Sequence, residues 1–278
     1  MPHKGRRRLL RYTPGTLELL PQNPKNRFAM QHALVHYASG SVFTFVPKNA
    51  CTSLRTSLAI ANGIIVDASQ MAWIHKNNST FSATLPDLAR APATAVIIRC
   101  PFRRLASAYL DKIVWRAPAF WTLLRKSHDT IDPESLTFRD FVDWLSRPGF
   151  LALDLHWRPQ VDFLVYETYD RVFGIHEISK FGAFFTENTR AEFVDTRSIS
   201  THTTADFVSG EIGFGADTPL IELAIEKSKG RLPAAKDMFD KDLIRQVRQL
   251  YRADLNFYHD AIGMDGLLFP NKKKVQSQ

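Results

Sequence analysis

Residues Phe45 to Ser53 read FVPKNACTS, and residues Val96 to Lys112 read VIIRCPFRRLASAYLDK. Each is a buried apolar run that passes through a polar turn into a helical pattern. In the first, Val42, Phe43, Phe45 and Val46 stop at Pro47; a lysine and two hydroxyl residues follow, with no acid among them. The apolar helical pattern then starts near Thr52, with Leu54, Leu58 and Ala61 on one side and Gly63 as its C-terminal stop. In the second, a strand from Ala93 to Ile98 runs into Arg99, and Pro101 presets the first turn of a helix reaching Ile113. Strand, loop and helix in that order, repeated, describe an α/β protein whose central parallel sheet is flanked by helices. Ligands of such sheets bind beyond the carboxyl ends of the strands.

A loop leading into a helix presents unpaired backbone N–H groups at the positive end of the helix dipole. Pro47, Lys48, Asn49, Ala50, Cys51, Thr52 and Ser53 are therefore placed to cradle a phosphate-like group, with Lys48 adding a point charge. The nucleoside-triphosphate version of this device needs Gly-x-x-x-x-Gly-Lys-Ser/Thr. Here there is no glycine and the lysine comes first, which argues against a P-loop kinase or nucleotide hydrolase, as does the lack of a recognisable magnesium-binding acid. Local sequence alone fits a structural turn with an exposed lysine equally well. Arg99 is a guanidinium at the end of an apolar strand, costly to bury unless it meets an anion or a distant carboxylate. Leu105, Ala108, Tyr109 and Ile113 share one helical face, which leaves Ser107 and Arg104 off it, open to ligand or solvent. A ligand with two separate phosphate-like groups would fit both segments.

With 278 residues and 45% hydrophobic content, the chain can bury one sizeable core. One domain with insertions is expected over residues 31–262, between an irregular basic arm (1–30, with Pro14, Pro21 and Pro24) and a basic tail (263–278). The net charge of +8 comes from the ends. Lys4, Arg6, Arg7, Arg8 and Arg11 lie at one, Lys272 to Lys274 at the other, and the interior is formally neutral. That distribution argues against a nucleic-acid footprint and reads as solvated tails, with weak contact at an anionic membrane surface as a further use. No apolar run approaches the ~20 residues that span a bilayer, and Leu9 and Leu10 are too short a core for a signal peptide. A soluble, cytosolic protein is expected. Cys51 and Cys100 form neither a disulfide framework nor a zinc set, so free thiols are expected.

Between the two segments, residues 64–92 read as loop-rich, with Trp73, His75, Asn77 and Asn78. Past Trp115 a helical insertion follows, where Thr137 and Asp140 cap a helix carrying Phe138, Phe141, Val142 and Leu145, ended by Pro148 and Gly149. A third buried strand is expected at Asp162 to Tyr166, then a strand over Arg171 to Ile175 and a helix from Glu177 to Phe185. Residues 196–219 read as a long loop. Asp240 caps a final helix carrying Leu243, Val247, Leu250, Tyr251, Leu255 and Tyr258.

These residues resemble a family, the PAPS-dependent sulfotransferases, in their carbohydrate-type branch (sulfotransferase family 2). The likeness lies in Pro47-Lys48-Asn49-Ala50-Cys51-Thr52-Ser53 and in Arg99-Cys100-Pro101-Phe102, continued through Arg104-Leu105, Ser107-Ala108-Tyr109 and Lys112. His156-Trp157, Tyr169-Asp170 and the segment from Leu250-Tyr251 to Asp254 also match, so the resemblance covers roughly residues 41–259. It implies a P-loop-like sulfotransferase fold and 3′-phosphoadenosine 5′-phosphosulfate (PAPS) as donor, with no metal. By the resemblance the first loop binds the 5′-phosphosulfate, and Arg99 with Ser107 binds the 3′-phosphate. The branch usually carries an acid after the strand-end arginine, where this chain has Cys100.

Sulfuryl transfer should follow phosphoryl transfer in outline, with a loose in-line transition state and charge building on the leaving oxygen. Lys48 is expected near the bridging oxygen, with Thr52 and Ser53 donating beside the backbone N–H groups. A sugar hydroxyl needs a base, and the resemblance points to His75 in the loop-rich segment. His156 is the alternative, then Glu167; His202 would touch the nucleotide or nothing. The implied acceptor is a glycan hydroxyl, modified by a cytosolic, bacterial-type enzyme. Trp73, Trp115, Trp121, Trp144 and Trp157 offer sugar-stacking faces or core. The competing class is a non-catalytic binder of anionic polymer or membrane, acting through the basic ends.

Overall fold

The computed structural model describes residues 8–13, 18–77, 79–128, 132–196 and 213–270. In chain order its elements begin α1 (Pro24–Gln31), β1 (Ala33–Val35), β2 (Val42–Thr44), α2 (Cys51–Ala61), α3 (Trp73–Lys76), α4 (Leu85–Arg90) and β3 (Thr94–Ile98). Then come α5 (Pro101–Ala108), α6 (Pro118–Ser127), α7 (Phe138–Leu145), β4 (Arg171–Gly174), α8 (Ile178–Thr189), α9 (Leu220–Ser228), α10 (Lys241–Leu250) and α11 (Arg252–Ile262). Two compact units result: one from Met1–Arg99 with Pro159–Thr203, the other from Cys100–Arg158 with Thr204–Gln278.

The first unit holds the sheet, in the order β1-β2-β3-β4. β2 pairs with β3 in parallel, Val42 opposite Thr94 and Thr44 opposite Val96, and β3 pairs with β4 in parallel from Ala95–Arg171 to Ile98–Gly174. β1 is antiparallel to β2. Every residue of β2 and β3 is buried, as expected of strands covered on both faces, which is why they read as unbroken apolar runs. The side-chain alternation of a strand divides the packing. Phe43, Ala95, Ile97 and Phe173 meet Leu54 and Leu58 of α2 and Phe181 and Phe185 of α8. Val42, with Ala33 and Val35, meets Ala29 of α1, Leu88 of α4 and the segment Val165–Tyr166. Full burial of a leucine such as Leu54 or Leu58 is worth about 1.5–3 kcal/mol, so α2 is seated firmly on the sheet. Gly63, at φ +73°, ends it as expected.

The second unit is helical around one core, in which Phe102, Tyr109, Phe138, Phe141, Trp144, Trp157, Leu243 and Tyr251 are all buried. Thr137 and Asp140 form the expected capping box on α7. α5 continues into a π-helical turn at Tyr109–Ile113.

Four expectations are corrected. Asp162 to Tyr166 is no sheet strand: Gln160–Phe163 forms a 3-10 turn, and Tyr166 makes only a bridge to Leu10. Its apolar run is buried like a strand's but pairs with the N-terminal segment instead. Residues 1–30 are not wholly irregular, since α1 is capped by Asn23 with Pro24 at its first position, where proline is favoured. Arg8 is likewise no solvated tail charge, for it pairs with Asp170 at 2.7 Å. The final helix is two, α10 and α11, broken at Tyr251, whose hydroxyl donates to the Trp157 carbonyl at 2.5 Å. Most of the expected 196–219 loop, with His202, lies outside the described residues. No helix among the described residues is long and apolar enough to cross a membrane.

Candidate active site

β2 and β3 are neighbouring parallel strands, so the chain leaves both at the same edge of the sheet. From β2 it passes through Phe45, Val46 and Pro47, all buried, into a turn in which Lys48 (φ 71°) and Ala50 (φ 55°) take left-handed conformations. Such conformations are costly for residues with a Cβ, roughly 1–2 kcal/mol each, and persist where the surroundings impose them. Ala50 is the N-cap of α2 and offers no side-chain oxygen to the first-turn N–H groups, and that turn carries no acid. Alternating left-handed residues ahead of an uncapped helix start form a concave set of N–H donors suited to an anion.

The turn is braced from β3. The Asn49 side chain, buried, donates to the Ile97 carbonyl at 3.0 Å and to Oε1 of Gln160 at 2.7 Å. Gln160 also accepts from the Arg99 backbone N–H at 3.0 Å and donates to the Arg99 carbonyl at 2.8 Å. Arg99 in turn donates through Nη1 to the Lys48 carbonyl at 3.2 Å. The lysine and arginine singled out from the two segments therefore stand together.

The two hydroxyl residues differ. Thr52 is half-buried and Ser53 buried; the Ser53 hydroxyl lies 3.1 Å from that of Thr196 and donates to Asp195 at 3.4 Å. Cys51 is half-buried at the first helical position, and its thiol is free. Arg55, one turn further, is 7% exposed, donates to the Ile74 carbonyl and stacks 5.2 Å from the centre of the Phe45 ring. Burial pushes its guanidinium down from the ordinary value, against the opposing effect of Cys51. Ile74 precedes His75, so α2 holds the short helix α3 on which His75 stands exposed.

In the second unit, Ser107 on α5 is 6% exposed rather than solvated. Arg104 is buried too, donating to the carbonyls of Arg158 at 2.7 Å and Leu155 at 3.0 Å. Helical periodicity misplaced both; Arg104 turns inward to reach the Leu155–Arg158 segment. His156 lies within that segment, its Nδ1 2.6 Å from Oδ1 of Asp154. Burial pushes the Asp154 carboxyl up, but the hydrogen bond and charge of His156, helped by Lys112, bring it below its ordinary value. Trp157 is fully buried and donates to the Phe150 carbonyl, a core role, as Trp144 has; Trp115 and Trp121 are exposed. Glu167 is exposed.

Sequence reasoning missed Asn49's partner Gln160 and the buried Arg55. Gln160 lies just after Pro159 and two residues ahead of the Asp162–Tyr166 run, and its sequence neighbourhood carries no signal of this role. Among the described residues no group of three or more His, Cys, Asp or Glu side chains could hold a metal ion.

A mostly parallel α/β sheet whose loop-to-helix turn is free of acid and rich in N–H donors defines a class of protein with an anion-compatible edge. Within that class the sequence model of the sulfotransferase family matches residues 31–259, and the chain belongs to that family. Carbohydrate sulfotransferase 10 of Xenopus laevis is 29% identical over 206 residues, covering 63% of this chain and 58% of that protein. The match thus spans somewhat more than half of that relative. No solved structure matches the chain significantly.

Proposed function

We propose that this chain transfers a sulfuryl group from PAPS to a hydroxyl of a carbohydrate acceptor. The carrying observation is the Lys48–Ser53 turn, with left-handed Lys48 and Ala50 opening onto an uncapped helix that carries no acid in its first turn. Membership of the sulfotransferase family and the name of the Xenopus relative support the reaction class and the acceptor class. When bound, PAPS supplies an activated sulfuryl group. The first-turn N–H groups of α2 and the Thr52 hydroxyl donate hydrogen bonds to its 5′ end, and the Lys48 ammonium neutralises charge on the leaving oxygen. Ser53 ties α2 to the Asp195–Thr196 segment as well. Arg99 and Ser107 are assigned to the 3′-phosphate by the family resemblance.

His75 accepts the acceptor's proton in this reading. Its support is the Arg55 bond to Ile74, which fixes the turn before His75 to the helix that follows the phosphosulfate loop. A second reading gives the proton to His156, whose bond to Asp154 is the arrangement that orients an imidazole base. The cytosolic setting belongs to the same proposal.

The test is a thermal-shift comparison of adenosine 3′,5′-bisphosphate with ATP and GTP, followed by transfer of labelled sulfate from PAPS to an oligosaccharide panel. Stabilisation by the bisphosphate alone, with labelled product, is expected. Stabilisation by ATP, with magnesium-dependent hydrolysis, would replace this reading with a nucleotide hydrolase.

A further inference from the structure

One buried carboxamide joins the two segments on which the proposed donor would rest. Gln160 is 2% exposed. Its Oε1 accepts from the Asn49 side chain at 2.7 Å and from the Arg99 N–H at 3.0 Å, while its Nε2 donates to the Arg99 carbonyl at 2.8 Å. The amide orientation follows from the network, because only the NH₂ end can face a carbonyl and only the oxygen can face an N–H. The Arg99 peptide is gripped on both sides, and the turn carrying Lys48 and Ala50 is held through Asn49 to the same group. Asn49 is anchored a second time on β3, at Ile97.

These bonds do what separate contacts would not. Arg99 sits at the end of a strand, where a backbone rotation would swing its guanidinium away from Lys48. The Lys48 turn sits in a strained conformation that needs outside support. A side chain shared by the two fixes the distance between them.

We propose that Gln160 is a positioning residue that sets the spacing between the Lys48–Ser53 turn and Arg99, and so selects a nucleotide bearing both a 5′ and a 3′ anionic group over one bearing a 5′ group alone. The inference rests on the reading of the turn and Arg99 as the two ends of the donor site. Gln160 touches neither anion itself; it acts through Arg99 and Asn49.

The experiment is calorimetric titration with adenosine 3′,5′-bisphosphate and with adenosine 5′-phosphate, in four proteins. These are wild type, Gln160→Met, Gln160→Asn and the control Tyr166→Phe, which removes another buried hydrogen bond of this unit, to the Leu88 carbonyl. Met keeps the volume and loses every polar contact; Asn keeps a carboxamide too short to reach both partners. Wild type is expected to favour the bisphosphate, and both Gln160 variants to reduce that preference about tenfold or more, mainly through weaker bisphosphate binding. Tyr166→Phe should lower the melting temperature and leave the preference intact. In an Arg99→Ala background, Gln160→Met should reduce the preference no further, since the two act in series. A folded Gln160 variant with wild-type preference overturns the positioning role and leaves the donor reading standing. Failure of wild type to bind the bisphosphate overturns the donor reading and this inference with it.

Discussion

Arg99 donates from Nη1 to the main-chain carbonyl of Lys48 at 3.2 Å, so the residue that closes β3 supports the left-handed residue of the turn that follows β2. The guanidinium thus steadies a backbone carbonyl while standing at the edge where parallel strands present their ligands.

Truncating Arg99 should separate these roles from a general loss of fold. Arg99→Ala is expected to weaken adenosine 3′,5′-bisphosphate binding at least about tenfold, the scale of a charge-assisted hydrogen bond to an anion. Arg99→Lys keeps the charge but not the forked donors, and should recover only part of that affinity. Calorimetry on the folded variants checks both; unchanged binding in Arg99→Ala would remove Arg99 from the site.

The strain at Ala50 makes a second prediction that needs no knowledge of the acceptor. Ala50 holds φ 55° at the helix start. Ala50→Gly relieves the Cβ clash, whereas a β-branched residue worsens it. Ala50→Gly should therefore match or exceed wild type in urea stability, and Ala50→Val should fall below it by about 1–2 kcal/mol. Equal loss in both variants would mean that the Ala50 methyl, not its backbone, matters there.

Much of this architecture was legible in the residues because parallel strands covered on both faces write themselves as apolar runs, and Val42–Val46 and Thr94–Ile98 did so. Capping chemistry made α7 equally plain through Thr137 and Asp140. What stayed hidden depends on long-range contacts. Leu164, Val165 and Tyr166 carry a strand's burial without a strand's partners, so burial alone misassigned them. Ser107 and Arg104 fall off the apolar stripe of α5 yet are buried, and Arg104 binds the carbonyls of a segment some fifty residues away. Gln160 gave no motif at all: its meaning lies in bonds to residues 61 and 111 positions earlier in the chain.

Asp170 should make part of the stability depend on acid. Burial pushes its carboxyl up, but the hydrogen bond and charge of Arg8 and the two donors of Thr94 outweigh that and hold it below its ordinary value. A carboxylate depressed in the folded state contributes stability that is present above its unfolded pKa of about 3.9 and is lost as pH falls through the folded value. At pH 7, Asp170→Asn should cost about 2 kcal/mol, the scale of hydrogen bonds to a charged group. Urea unfolding at stepped pH is expected to show wild type and variant converging below about pH 4. A gap that stays constant into strong acid would mean that the Arg8–Asp170 pair is not what the substitution removes.

The identity of the base is decided by which histidine's loss reaches turnover without touching the nucleotide. His75 stands exposed on α3, which Arg55 fastens to α2, whereas the His156 ring is held by a hydrogen bond to the Asp154 carboxylate. If His75 takes the proton, His75→Ala should lower kcat by about 10²–10⁴-fold with bisphosphate affinity intact, the range expected for a lost general base. His156→Ala and Asp154→Asn should then cost little in kcat. The Asp154 carboxylate provides an independent reading. Should His156 take the proton, Asp154→Asn would weaken the hydrogen bond that orients its ring, and kcat should fall in that variant as it does in His156→Ala. A kcat unmoved by Asp154→Asn, together with a collapse of turnover in His75→Ala, fixes the proton on His75. A kcat that falls in Asp154→Asn, with His75→Ala still active, assigns it to His156.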